Sequence, residues 1–116
     1  MDIKIVKNHI GLNELKEMAQ EEFGDVIKAV VDVAQEIMAV GGELHADEEV
    51  LLMEETGSKR QDTWGIDLYL EKTGDDFIEF DSMINLKPHY GNRSRNVEDV
   101  KIREKIKKII DKLVSK

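Results

Sequence analysis

The fold turns on residues 28–54: KAVVDVAQEIMAV (28–40), then Gly41-Gly42, then ELHADEEVLLME (43–54). In the first part Ala29, Val31, Val33, Ile37 and Ala39 recur at period two, with Asp32 and Glu36 on the other side. Side chains alternate across a strand and valine suits a pleated surface, so Lys28 to Val40 reads as one β-strand. Gly41-Gly42 permits the positive φ angles of a tight turn and predicts a hairpin. Glu43 to Glu54 is then the returning strand, because Leu44, Ala46, Val50 and Leu52 alternate and Thr56-Gly57-Ser58 reads as a turn. Helix is the competing reading, since Leu, Met and Glu crowd residues 48–55 and all favour helices.

Outward from this hairpin, Ile3 and Ile5 flank Lys4 and predict a short first strand. Gly11 as N-cap with Glu14 three residues inside opens a helix whose apolar stripe is Leu12, Leu15, Met18, Ala19 and Phe23, with Gly24 at its end. Trp64, Ile66, Leu68 and Leu70 share one face of a further strand, and Phe77 to Leu86 gives another, joined around Thr73-Gly74-Asp75-Asp76. Asn96 or Asp99 caps a last helix with Ile102, Ile106, Ile109, Ile110 and Leu113 on its buried stripe. The expected architecture is a single α+β domain over residues 1–116. It is an antiparallel meander of about four strands in sequence order, with two helices packed on one face.

A chain of 116 residues can bury roughly two-thirds of its unfolded surface in one core. It has no cysteine, which removes thiol nucleophiles, disulfides and cysteine zinc sites together. The start lacks a basic-then-apolar leader and no apolar run approaches a membrane span, so a cytoplasmic protein is expected. The net charge of -8 is unevenly spread. Residues 21–86 hold eighteen acidic against four basic residues, whereas residues 87–116 hold ten basic against four acidic. These segments are complementary and can meet within one protomer or across a symmetric dimer. The acidic segment would repel a phosphate backbone, which argues against a general nucleic-acid binder.

Four groups of residues stand out, two that can carry chemistry and two that read as structural. On a strand, His45, Asp47 and Glu49 would share a face, and one imidazole with carboxylates suits a divalent metal such as manganese, iron or zinc. The loop from Lys87 to Arg95 adds His89, Asn92 and Arg93 just before a helix, a composition suited to an anion or an acidic partner. Arg93 and Arg95 can equally pair with the acidic middle of the chain. Asp81 and Asn85 are polar positions in an otherwise apolar strand and predict a structural network. Trp64 reads as a core aromatic anchor, followed by Gly65, which lets a backbone or ligand come close. Phosphate-binding, dinucleotide-binding, zincin and serine-hydrolase motifs are all missing.

Three stretches together carry a resemblance: Gly42-Glu43-Leu44-His45-Ala46-Asp47, Gly57-Ser58 with Trp64 to Tyr69, and Ile78 to Pro88 running into Gly91-Asn92-Arg93-Ser94-Arg95. They resemble a small prokaryotic family described only as a domain of unknown function. Where that family tends to have an arginine before the proline and a proline near the last helix, this chain has Lys87 and Val100. Lysine keeps the charge and loses the bidentate fork. The resemblance implies no substrate, cofactor or reaction. The reading is therefore a non-enzymatic binding or interaction module, with a protein partner or self-association and no cofactor. Its alternatives are a metal-assisted hydrolase at His45, Asp47 and Glu49, and a nucleic-acid-contacting accessory protein using Arg93, Arg95 and the last helix.

Overall fold

A computed structural model of the chain describes residues 2–116. The chain opens with β1 (Lys4–Val6), β2 (Ile10–Gly11) and α1 (Leu12–Gln20). The alternation at residues 28–40 belongs to two strands, β3 (Val26–Asp32) and β4 (Ile37–Val40), rather than to one. Between them the Asp32 carboxylate accepts the backbone N–H groups of Ala34 and Gln35 at 2.8 and 3.0 Å, a side-chain turn that replaces the expected glycine turn. Glu36 completes the reversal at φ +58°, an uncommon conformation for a residue with a side chain.

The expected hairpin between Lys28–Val40 and Glu43–Glu54 is absent, because the second half forms helix α2 (His45–Thr56). Its buried side chains are His45, Glu48, Glu49 and Leu52, at helical spacing. Three of these four are polar, which hides the stripe from any search for apolar periodicity. Leu44 and Val50, on which the strand alternation rests, are exposed. Gly57 at φ +70° ends the helix. Gly41, at φ +94°, turns the chain toward α2. A Cβ on Gly42 would lie 2.9 Å from Glu48 Cγ, so Gly42 is the space into which Glu48 packs.

After α2 come β5 (Thr63–Tyr69), β6 (Ile78–Glu79), α3 (Val100–Leu113) and β7 (Val114–Ser115). Asp99 is the cap of α3, its carboxylate accepting from Lys101 N–H at 2.8 Å. The strand expected over Phe77–Leu86 shrinks to β6, followed by a short turn of helix at Met83–Asn85.

One five-stranded antiparallel sheet runs β1-β4-β3-β5-β6, and with three helices it makes an α+β domain. Only part of the sheet follows sequence order, since α2 carries the chain from β4 across β3 to β5. A parallel pair, β2 with β7, ties the start of α1 to the end of α3. Helices cover both faces instead of one. On the first face Ala29, Val31, Trp64, Ile66 and Leu68 pack with Leu15 and Ala19 of α1 and Ile106, Ile109, Ile110 and Leu113 of α3. On the opposite face Val30, Ile37 and Ala39 meet Leu52 of α2 and Ile84. That second cluster is small, and polar side chains fill the rest of the face. Among the described residues no helix is long and apolar enough to cross a membrane.

Candidate functional site

The polar face begins at Gly65. Its backbone N–H and C=O point away from β3, and β6 is too short to pair with them. Asn85 takes that place: its Oδ1 accepts from Gly65 N–H at 2.8 Å, and its Nδ2 donates to Gly65 O at 3.0 Å and Arg95 O at 2.9 Å. A buried amide thus imitates one rung of a β-ladder. The approach is close enough that a Cβ on Gly65 would lie 2.5 Å from Ser82 Cβ and Oγ and 3.1 Å from His45 Cγ.

Asn92 organises the loop behind it. Its Nδ2 lies 2.7, 3.1 and 2.7 Å from the carbonyl oxygens of Asn85, Ser94 and Asn96, and its Oδ1 accepts from Glu98 N–H. Lys87 and Asn92 also pair through their backbones around the turn Pro88–Tyr90, which Gly91 closes at φ +84°. Lys87 is buried, with its Nζ 4.0 Å from the centroid of the Trp64 ring, and it donates to the carbonyls of Arg60 and Thr63. Burial, with Arg60 close by, lowers its pKa to about 8, although Glu49 and Asp62 act in the other direction. Glu49 accepts from Arg60 at 3.0 Å and Thr63 Oγ1 at 2.5 Å, while Arg60 also donates to the Ile84 and Leu86 carbonyls. Lys87, Asn92 and Glu49 are therefore committed to holding the 82–96 segment against α2 and β5. Trp64 packs in the apolar core beneath Lys87.

Three expectations drawn from the sequence are corrected by this arrangement. His45 and Glu49 lie on the buried side of α2 while Asp47 is exposed, so the three do not share a face. Among the described residues no three His, Asp or Glu side chains are grouped to hold a metal ion. The loop residues likewise do not form one anion site. His89 and Arg93 are exposed, and Arg93 engages Glu98 only through its backbone N–H, at 3.1 Å. Arg95 alone turns to a cavity, where its Nε donates to Asp81 Oδ1 at 2.6 Å. Asp81 thus stands apart from the Asn85 network. Elsewhere the basic tail does meet the acidic middle, as Lys107 with Asp75 and Lys112 with Glu36, each at 3.5 Å.

That cavity, about 280 Å³, lies where α2, β3, β5 and the 81–84 segment converge. Its polar lining is Lys28, His45, Asp67, Asp81, Ser82 and Arg95, and its apolar lining is Leu44, Ala46, Met83 and Ile84. His45 Nε2 is 2.8 Å from Ile66 O and 3.3 Å from Asp67 Oδ1. A carbonyl only accepts, so Nε2 carries a proton, and in the uncharged ring the lone pair is then on Nδ1. Ser82 accepts from Ile84 N–H at 3.3 Å, which caps the short turn Met83–Asn85.

A larger concavity, about 470 Å³, follows α3 and is lined by Glu36, Val100, Lys101, Glu104, Lys105, Lys108 and Ile109. Most of these are exposed flexible side chains, and no buried polar group converges there, so the smaller cavity is the better site.

Two further buried carboxylates flank the same face. Glu48 accepts from Gly42 N–H at 2.9 Å, and its Oε1 has no partner among the described residues. Burial raises its pKa well above the ordinary range. The Gly42 bond and Lys28 ease that rise, and Asp67 and Asp47 add to it. Asp32 behaves oppositely: burial pushes its pKa up, but hydrogen bonds from Ser58, Gln35 and Ala34 outweigh this and leave it lowered.

Lys28, Asp67 and Ser82 do not stand out in the sequence as site residues. Asp67 has a signal, a carboxylate opposite the apolar face of Trp64, Ile66 and Leu68. Lys28 and Ser82 have none, because their neighbours in the cavity are far away in the chain.

Over residues 4–113 the chain matches the model of a family described as Protein of unknown function (DUF5674). No curated protein and no solved structure matches it.

Proposed function

The chain belongs to that family, and we propose that it is a non-enzymatic binding module whose ligand sits in the cavity between α2, β5 and the 81–84 segment. One observation carries this reading: residues distant in sequence bring charged and hydrogen-bonding groups to a single small cavity without using up their bonding capacity. A network built only for stability would satisfy its members, as the Asn85 and Asn92 clusters do. The volume is at the lower end for ligand pockets, which favours a metabolite-sized molecule over an extended polymer.

A protein partner at the same rim is the second reading. It is favoured by Leu44 and Met83, which line the cavity yet are 57% and 62% exposed.

The experiment is a screen of polar metabolite-sized fragments against the ¹⁵N-labelled chain. Binding should move the backbone amide signals of Ala46, Ser82 and Met83 together. Shifts confined to α3, or none anywhere, would remove the small-ligand reading.

A further inference from the structure

His45 and Ala46, the first two residues of α2, line this cavity, and the residue before them, Leu44, has no side-chain oxygen to cap the helix. Asp47 and Glu48 N–H reach the Leu44 carbonyl instead. The start of this 12-residue helix favours an anion, and Asp47 and Glu48 already place acidic side chains in its first turn. Ser82, 1% exposed, lines the same cavity, and its Oγ accepts from Ile84 N–H. Arg95 uses only Nε, toward Asp81, which leaves both terminal nitrogens of its fork free. Lys28 has no carboxylate at ion-pairing distance among the described residues, and its Nζ lies 5.6 Å from the Phe23 ring centroid.

The acceptors show the same incomplete use. Asp81 meets Arg95 through Oδ1, and Asp67 meets His45 through Oδ1. Oδ2 of each has no partner among the described residues. Two cations and two carboxylates, each partly uncommitted, balance one another around the His45 imidazole. A monoanion would leave the carboxylates facing uncompensated negative charge, and a monocation would do the same to Lys28 and Arg95. A ligand bearing both signs meets all four.

Resting on the reading of this cavity as the binding site, we propose that it takes a zwitterion, an α-amino acid with an apolar side chain. The carboxylate faces the start of α2, Lys28 and the free fork of Arg95. The ammonium faces Asp67 and Asp81, and the side chain lies against Leu44, Ala46, Met83 and Ile84. In an α-amino acid the two charged groups are attached to one carbon, which suits donors and acceptors that share one small cavity.

The test needs only the intact chain and four probes of one shape, followed by calorimetric titration and the amide signals of Ala46 and Ser82. They are L-leucine, 4-methylpentanoate lacking the ammonium, 3-methylbutylamine lacking the carboxylate, and uncharged 3-methylbutanol. Leucine should bind, with each singly charged analogue about tenfold or more weaker, the loss expected for one charge-assisted contact. Arg95→Gln and Asp81→Asn, both at partly exposed positions, should each weaken leucine while melting as the parent does. If a singly charged or uncharged probe matches leucine, the zwitterion assignment fails and the cavity stands as a binding site. If none of the four moves either signal, the zwitterion assignment fails, and the cavity reading is decided by the fragment screen.

Discussion

The two faces of the sheet are covered by opposite means. On one, α1 and α3 lay Leu15, Ala19, Ile106, Ile109, Ile110 and Leu113 over Ala29, Val31, Trp64, Ile66 and Leu68. On the other, α2 presents His45, Glu48 and Glu49 beside Leu52, and the 82–96 segment adds Asn85, Lys87 and Asn92. Apolar packing is non-directional and tolerates repacking, whereas buried polar groups are stable only when their partners sit at set distances. The first face therefore reads as stability. The second uses directional bonds to hold α2, β5 and the loop in register, and that register forms the cavity.

Substitution should separate the faces, and Ile106 probes the apolar one. Ile106→Ala removes a fully buried side chain from the apolar face and should cost roughly 2–5 kcal/mol in denaturant unfolding. A loss below about 1 kcal/mol would show that α3 does not anchor the core.

Asn85→Ala probes the polar face. It leaves Gly65 N–H, Gly65 C=O and Arg95 C=O without their partner, at roughly 1–3 kcal/mol for each group that water cannot reach. Hydrogen exchange should speed up at Gly65 first. Unchanged protection there would mean the amide rung does not hold the strand.

pH separates the faces further, because the strongly shifted buried groups lie on the polar one. Glu48 is raised, so the folded state holds its proton where the unfolded chain has lost it. Stability from Glu48 is therefore full below about pH 4.5, the ordinary value, and falls as pH rises through its folded pKa, by at most about 1.4 kcal/mol per pH unit. Glu48→Gln should flatten that fall. Asp32 is lowered and gives the reverse: its contribution is present above the ordinary value of 3.8 and is lost as pH drops through the folded pKa. Lys87 titrates near 8 when folded and 10.5 when unfolded, so stability should rise with pH across that window. Lys87→Arg, which cannot release its proton in this range, should abolish the rise.

Arg93→Glu should change unfolding free energy by no more than about 0.5 kcal/mol, as expected for an exposed side chain without a carboxylate partner among the described residues. A clear loss would restore the internal pairing that the charge distribution suggests for Arg93.

The apolar face is legible in the sequence because its code is periodicity. Trp64, Ile66 and Leu68 at period two, and Ile106, Ile109, Ile110 and Leu113 at helical spacing, each announce a buried stripe. α2 is hidden for the corresponding reason: its buried stripe is His45, Glu48, Glu49 and Leu52, and polar residues carry no apolar period. The β3–β4 turn escapes notice because Asp32 and Glu36 build it, while the more conspicuous Gly41-Gly42 serves to redirect the chain and admit Glu48. Within the site, His45 and Arg95 are visible as members of polar clusters, and Asp81 as a polar residue in an apolar run. What joins them to Lys28, Asp67 and Ser82 is tertiary, fixed by strand register and the reach of Asn85.

Whether the protein binds its ligand in the cavity, and not on the surrounding network, is decided most directly by Ala46→Trp. Ala46 is exposed in the first turn of α2 and lines the cavity without belonging to any side-chain hydrogen-bond network. The measurement is leucine affinity and melting temperature on the same two samples, parent and variant. An unchanged melt with binding lost is the expected result, as the indole fills the space. Binding retained at parental affinity would contradict it.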